Sequence, residues 1–146
     1  MKLRIRRLHN GVALPRYETP GAAGMDLRAD LMEERILPPG ERALIPTGLA
    51  IELPDAGYAA FVFARSGLAA REGLALSNGV GVIDSDYRGE LKVGVVNLSG
   101  EERVIRPGER IAQLCVMPVV QCEIEECETL TGTERGAGGF GSTGVR

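Results

Sequence analysis

Leu91-Lys92-Val93-Gly94-Val95-Val96, with Ser99-Gly100 and Pro107-Gly108 after it, carries the two signals that decide the fold class. Leu91, Val93 and Val95 recur at every second position, which puts three apolar side chains on one face of an extended strand. The Gly-containing pairs that follow are chain-reversal signals. Working outward, the same alternation returns at Leu3 and Ile5, set among Lys2, Arg4 and Arg6, and at Leu49, Ile51 and Leu53, set around Ala50 and Glu52. Further turn signals stand between these runs: Asn10-Gly11, Pro38-Pro39-Gly40 and Pro54-Asp55-Ala56-Gly57. Pro-Gly suits the centre of a type II turn, where proline fixes one φ and glycine supplies the positive one. The sole helical candidate is short, around Gly67 to Gly73. Many short strands at close spacing predict an all-β sandwich or barrel, with a jelly roll among the options and at most one short helix.

The 146 residues include 20 Gly and 8 Pro, in keeping with many turns. With 44% hydrophobic and 25% charged residues, the composition is that of a globular protein large enough for one packed domain. A net charge of −3 and a pI near 5.3 argue against a duplex-binding surface, which draws its affinity from clustered cations. The one basic cluster, Lys2-Arg4-Arg6-Arg7, reads as the solvated face of an N-terminal strand. Nucleic acid is therefore not an expected partner. Cys115, Cys122 and Cys127 lack metal-site spacing and read as reduced thiols. No apolar run approaches the ~18 residues of a membrane span, and Met1-Lys2-Leu3-Arg4-Ile5 lacks the apolar core of a signal peptide. The expectation is a cytoplasmic protein with no membrane attachment.

Near Leu130 the character changes. Thr131 to Arg146 reads TGTERGAGGFGSTGVR, with six glycines and no apolar period. The expected division is a β-domain over 1–130 and a flexible, glycine-rich segment over 131–146. Most such tails are plain disordered ends. Phe140 and Arg135 suit a different role: a lid whose aromatic ring stacks on a ligand while backbone N–H groups meet an anion.

His9 is the only histidine, so a zinc site or a Ser-His-Asp triad has little support, and acid–base work falls to carboxylates. Three segments offer them or their partners. In Asn78 to Glu90, Asp84 follows the apolar Val80, Val82 and Ile83, and a carboxylate at the margin of a packed wall has a raised proton affinity. A solvated hairpin tip explains the same residues equally well. In Arg65-Ser66-Gly67, a hydroxyl, a cation and turn-initiating N–H groups could receive an anion, or Ser66 could simply cap the helix. Asp26 alternates with Met25 and Leu27 and so points away from their face; Gln113 is a polar residue within an apolar run.

Taken together and in this order, these segments resemble the five motifs of the trimeric dUTPase family. They are Ala23-Gly24-Met25-Asp26-Leu27-Arg28-Ala29; Arg65-Ser66-Gly67-Leu68-Ala69; Asn78 through Gly89; Gly108-Glu109-Arg110-Ile111-Ala112-Gln113-Leu114; and Arg135 through Gly144. The resemblance runs from about residue 15 to the C-terminus. It implies a jelly-roll subunit, a homotrimer with three shared active sites, and hydrolysis of dUTP to dUMP and pyrophosphate with Mg²⁺ on the triphosphate. It also implies roles. Asp84 activates the attacking water. Asn78 with Gly81, Val82 and the rest of the hairpin reads the uracil edge, and Tyr87 lies under the deoxyribose. Arg65, Ser66, Gly67 and Gln113 meet phosphates, while Asp26 orients waters on Mg²⁺. From the tail, Phe140 and Gly141 cover the base, and Arg135, Ser142 and Thr143 hold the γ-phosphate end. A dCTP deaminase shares this fold; the Ile83-Asp84-Ser85-Asp86-Tyr87 turn and the tail favour the triphosphatase.

Overall fold

The structure, a computed structural model, describes residues 1–139. Eleven strands follow in chain order: β1 (Arg4–Arg7), β2 (Met25–Arg28), β3 (Arg35–Leu37), β4 (Arg42–Pro46), β5 (Leu49–Glu52), β6 (Tyr58–Ala64), β7 (Leu74–Leu76), β8 (Gly81–Ile83), β9 (Lys92–Asn97), β10 (Arg103–Ile105) and β11 (Arg110–Pro118). A single π-helical turn, Leu68–Glu72, falls inside the window where a short helix is expected. Glycine ends it at Gly73, whose φ of +69° is the left-handed cap conformation.

All pairings are antiparallel. β2, β11, β6 and β8 form a four-stranded sheet in that order; β4, β9 and β7 form a three-stranded one; β1 pairs with β5, and β10 with β3. The Pro-Gly signals become turns. Glu41 N–H donates to Pro38 O at 3.1 Å and Glu109 N–H to Arg106 O at 3.0 Å, closing four-residue turns over Gly40 (φ +78°) and Gly108 (φ +74°). Those φ values are what position i+2 of a type II turn requires.

The alternation in β9 is realised as written. Val93 and Val95 are buried, Lys92 is exposed, and Asn97 falls on the buried phase. Asn97 is fully buried and fully used: its Nδ2 donates to Leu37 O (2.8 Å) and Glu101 O (2.7 Å), and its Oδ1 accepts from Ser99 N (2.9 Å) and Ser99 Oγ (2.7 Å). β5 departs from the expected pattern, because Ala50 is buried along with Leu49 and Ile51. It is covered on both faces, and a residue as small as alanine makes that possible. Leu27, Leu37, Ile45, Leu49, Leu91, Val93, Ile105 and Leu114 fill the core, each such side chain stabilising the fold by about 1.5–3 kcal/mol. The basic residues of β1 are exposed, as a solvated strand face would be. Among the described residues regular structure ends with β11 at Pro118; beyond Val119, whose N–H donates to Gly57 O at 2.8 Å, residues 120–137 are exposed.

Candidate active site

Asp26 sits in the middle of β2, with Met25 and Leu27 buried on the core side and its own carboxylate on the opposite face. Arg65, the residue after β6, donates from Nε to Asp26 Oδ1 at 2.9 Å, and Arg110 donates from Nη1 to Asp26 Oδ2 at 3.0 Å. The Asp26 side chain is only 14% exposed. A carboxylate in that position needs this pairing, and in return it fixes two guanidinium planes side by side. Arg65 is further held by a 3.3 Å bond from Nη1 to Arg110 O. The cluster keeps one net positive charge, which is the electrostatics of an anion seat.

Sequence reasoning missed Arg110, and a β-bulge explains its position. Arg110 and Gln113 are three residues apart, so a regular strand would send them to opposite faces. The β11–β2 register shifts between Arg110 and Ala112, with Arg110 opposite Arg28, Ala112 opposite Leu27 and Gln113 opposite Asp26. The extra residue, Ile111, turns into the core, and both polar side chains emerge beside Asp26. The apolar doublet Ile111-Ala112 was the signal in the sequence, since it breaks the two-residue period. Gln113 donates from Nε2 to Ala64 O at 3.1 Å. Gly24 allows the close approach behind it: a Cβ there would lie 2.9 Å from Cys115 Sγ and 3.1 Å from Gln113 Oε1. Burial pushes the Cys115 thiol above its usual pKa. A hollow of about 420 Å³ opens beside the cluster, bordered by Leu14, Arg16, Asp26, Arg28 and Gly108. Ser66 and Gly67 are exposed at the start of the π turn, and no side-chain hydrogen bond caps it, so the alternative in which Ser66 simply caps the helix is not taken up.

The second group of predicted residues lies on β8 and its flanking loops. Asn78 is exposed in the loop that joins β7 to β8, two strands of different sheets, and Gly79 in that loop has φ +72°. β8 runs against β6, Gly81 facing Val62, Val82 facing Phe61 and Ile83 facing Ala60. Asp84 leaves the end of β8. It is exposed, and the packed wall expected beside it is not supplied by its own chain, because β8 is the edge strand of its sheet. Tyr87 N–H donates back to Asp84 O at 3.2 Å, and Tyr87 Oη donates to Glu90 O at 3.0 Å. Asp84, Tyr87, Val82, Leu44, Glu90 and Lys92 border a depression of about 250 Å³. A further hollow of about 390 Å³ along β1 and β5, edged by Arg4, Arg6 and Arg88, contains no predicted site residue.

The two groups stand apart within one chain. Ile83 is opposite Ala60, so Asp84 is level with Ala59, six residues from Arg65 along β6. At ~3.3 Å per residue that is roughly 20 Å, beyond the combined reach of the two side chains. A phosphate held by Arg65, Ser66 and Gln113 is therefore out of range of a water held by the same chain's Asp84. Arg135 lies in a local turn of the tail, its Nε donating to Gly138 O at 2.8 Å. Phe140, Gly141, Ser142 and Thr143 lie outside the described residues. Among the described residues no group of three or more His, Cys, Asp or Glu side chains is arranged to hold a metal ion.

This fold recurs among solved structures. A mutant dUTPase of Staphylococcus bacteriophage 80alpha with dUpNHpp superposes with a TM-score of 0.85 at 27% identity, covering 99% of each chain. A mutant dUTPase of phage phi11 of S. aureus, described with a structural Mg(II) ion, gives 0.80 at 25% identity, covering 90% of this chain and 100% of that one. The architecture is thus a dUTPase jelly roll. The sequence goes further. The dUTPase family model matches residues 10–144. A deoxyuridine 5'-triphosphate nucleotidohydrolase of Desulfitobacterium hafniense is 57% identical over 145 residues, 99% of this chain and 96% of that protein. One of Neisseria meningitidis is 54% identical over 132 residues, 90% of this chain and 88% of that protein. The chain belongs to the dUTPase family and is an enzyme that hydrolyses dUTP.

Proposed function

We propose that the chain converts dUTP to dUMP and pyrophosphate in active sites assembled between copies of itself in a homotrimer. The observation that carries this reading is the separation of roughly 20 Å between Asp84 and Arg65 along β6. In each site Asp26, Arg65, Ser66, Gly67 and Gln113 of one subunit would face Asn78, Gly81, Val82, Asp84 and Tyr87 of a second. Arg135, Phe140, Gly141, Ser142 and Thr143 would come from the tail of a third, with 131–146 acting as a lid on the 1–130 domain. A strip of apolar side chains supports the association. Phe61 and Phe63, stacked with centroids 6.3 Å apart, are only partly buried on the outward face of the sheet, and Val82 beside them is 59% exposed. Such a strip is the mark of a contact surface.

In the assembled site, Asp84 accepts a proton from a water that attacks the α-phosphorus in line, and pyrophosphate departs from the opposite side. Arg65 and Arg110 neutralise phosphate charge, and because Asp26 has already fixed Arg65, little reorganisation is needed on binding. Asp26 is suited to water-mediated contact with Mg²⁺ and unsuited to direct ligation, since each of its oxygens already accepts an arginine N–H; a carboxylate retains further lone pairs for a metal-bound water. When bound to the triphosphate, Mg²⁺ would supply charge neutralisation. A cytoplasmic location, natural for the free thiols of Cys115, Cys122 and Cys127, belongs to the same proposal, as does removal of dUTP with supply of dUMP for dTMP synthesis.

The test is pyrophosphate release from dUTP, dTTP, UTP and dCTP, with Mg²⁺ and with chelator. Turnover confined to dUTP and lost with chelator is expected; ammonia release from dCTP would point to a deaminase instead. Asp84→Asn should bind dUTP and lose about 10²–10⁴-fold in turnover.

A further inference from the structure

Tyr87 is held by two hydrogen bonds within its own loop, over a third residue that leaves it room. Its N–H donates to Asp84 O at 3.2 Å and its Oη donates to Glu90 O at 3.0 Å. The room is at Gly89. A Cβ built on Gly89 would overlap Tyr87 Oη and lie 2.6 Å from Cζ and 3.0 Å from Cε2. The phenol therefore lies across the bare backbone of Gly89, in the space that any other residue's side chain would take. Gly89 is not among the positive-φ glycines, so it is needed for room and not for backbone conformation. Glu90 anchors the far end of the loop: its Oε1 accepts from Gly48 N at 3.0 Å, and its Oε2 lies 3.5 Å from Lys92 Nζ.

We propose that Gly89, with Glu90, is a specificity-determining position that sets the seat of the Tyr87 ring and so the preference for deoxyribose over ribose. This rests on the proposal that Tyr87 lies under the sugar. A ring discriminates against one added hydroxyl by occupying its space, and a displacement of about an ångström is enough to open that space. The obstruction met by a Cβ at Gly89 is the far end of a half-exposed side chain held there by one hydrogen bond, so the strain of Gly89→Ala is relieved by moving the Tyr87 ring off Glu90 O and leaving the barrel alone.

The experiment measures kcat/KM for dUTP and UTP in wild type, Gly89→Ala, Tyr87→Phe, Tyr87→Ala and the Gly89→Ala/Tyr87→Ala double variant, with thermal melting and assembly size for each. Gly89→Ala is expected to keep its melting temperature and trimer while losing about 10-fold of its dUTP over UTP selectivity, within the ~10²-fold that rejecting one hydroxyl provides. Tyr87→Phe, which drops only the Oη bond to Glu90 O, should lose selectivity by a smaller factor. In the Tyr87→Ala background Gly89→Ala should have no further effect on selectivity, because the two positions act through one ring. Full selectivity in Gly89→Ala alongside reduced selectivity in Tyr87→Ala would overturn the role of Gly89. Full selectivity in Tyr87→Ala would instead overturn the placement of Tyr87 beneath the sugar. Should Gly89→Ala fail to fold, unaltered selectivity in Tyr87→Phe would overturn the inference.

Discussion

Two inactive chains should restore one another. Under the proposed mechanism, Asp84→Asn removes the base and leaves the phosphate seat intact. Arg65→Ala then removes a phosphate contact and leaves Asp84 intact, and Asp26 keeps Arg110 at 3.0 Å so its charge stays paired. Asp84 is level with Ala59, six residues from Arg65 in the direction of β6 or roughly 20 Å at ~3.3 Å per residue, so under the proposed trimer a productive pair comes from two subunits. In a cyclic trimer formed at random from equal amounts of both variants, a site is intact when its Arg65 donor is the Asp84→Asn chain and its Asp84 donor is the Arg65→Ala chain. Each condition holds half the time, so about one quarter of all sites are wild type in composition. Co-expression followed by a pyrophosphate assay should return about a quarter of wild-type activity per chain, far above either parent. Wild type diluted equally with a doubly substituted chain sharpens the test. Shared sites again leave about one quarter intact, whereas sites within one chain leave about one half. Mixed trimers no more active than their parents would refute the reasoning.

Four further outcomes are expected. A chain ended after Glu134 should melt at the wild-type temperature and lose turnover, since β11 closes the barrel at Pro118; unfolding of that variant would make the tail structural. Asn97→Ala strips four hydrogen bonds from a buried site and should destabilise the fold by about 3 kcal/mol or more in urea titration, with an unchanged midpoint counting against the network. His9 bonds two acceptors, Asn10 O at 2.9 Å from Nδ1 and Asp30 Oδ2 at 2.6 Å from Nε2, and these raise its pKa above 6.5. Its contribution to stability is thus complete below pH 6.5 and lost as pH rises through the higher folded value; Asp30→Asn should flatten this part of the melting-temperature profile, and an unaltered profile would exclude the tether. Gln113→Ala should raise KM for dUTP without lowering the melting temperature, because Gln113 lies on the outward face of β11.

What the sequence could and could not convey follows from the range of each interaction. The Pro-Gly turns and the Leu91-Val93-Val95 face are local, set by φ preference and side-chain period, and both stand in the structure as expected. Asp26 was legible as outward-pointing for the same reason. Its engagement with Arg65 and Arg110 was not, because those residues are 39 and 84 positions away and meet it only through sheet pairing. The shield expected over Asp84 is not supplied by its own chain, since Val82 and Ile83 belong to a strand that is the edge of its sheet among the described residues. The double burial of β5 escaped notice because Ala50 looks the same at a polar and an apolar position of an alternating run.

The bulge in β11 also constrains how this chain can change. Removing Ile111 would make the ladder between β2 and β11 more regular, and by the usual criteria of sheet quality the shortened strand would be an improvement. It would not turn Arg110 away, because Arg110 and Gln113 would then be two residues apart and on one face, beside Asp26. What would lose the contact is regular pairing with every residue kept, which points the Arg110 guanidinium at the core and leaves Asp26 with Arg65 alone. Anyone idealising this barrel, whether by evolution of thermostability or by redesign, can shorten this strand by one residue but cannot straighten it at its present length.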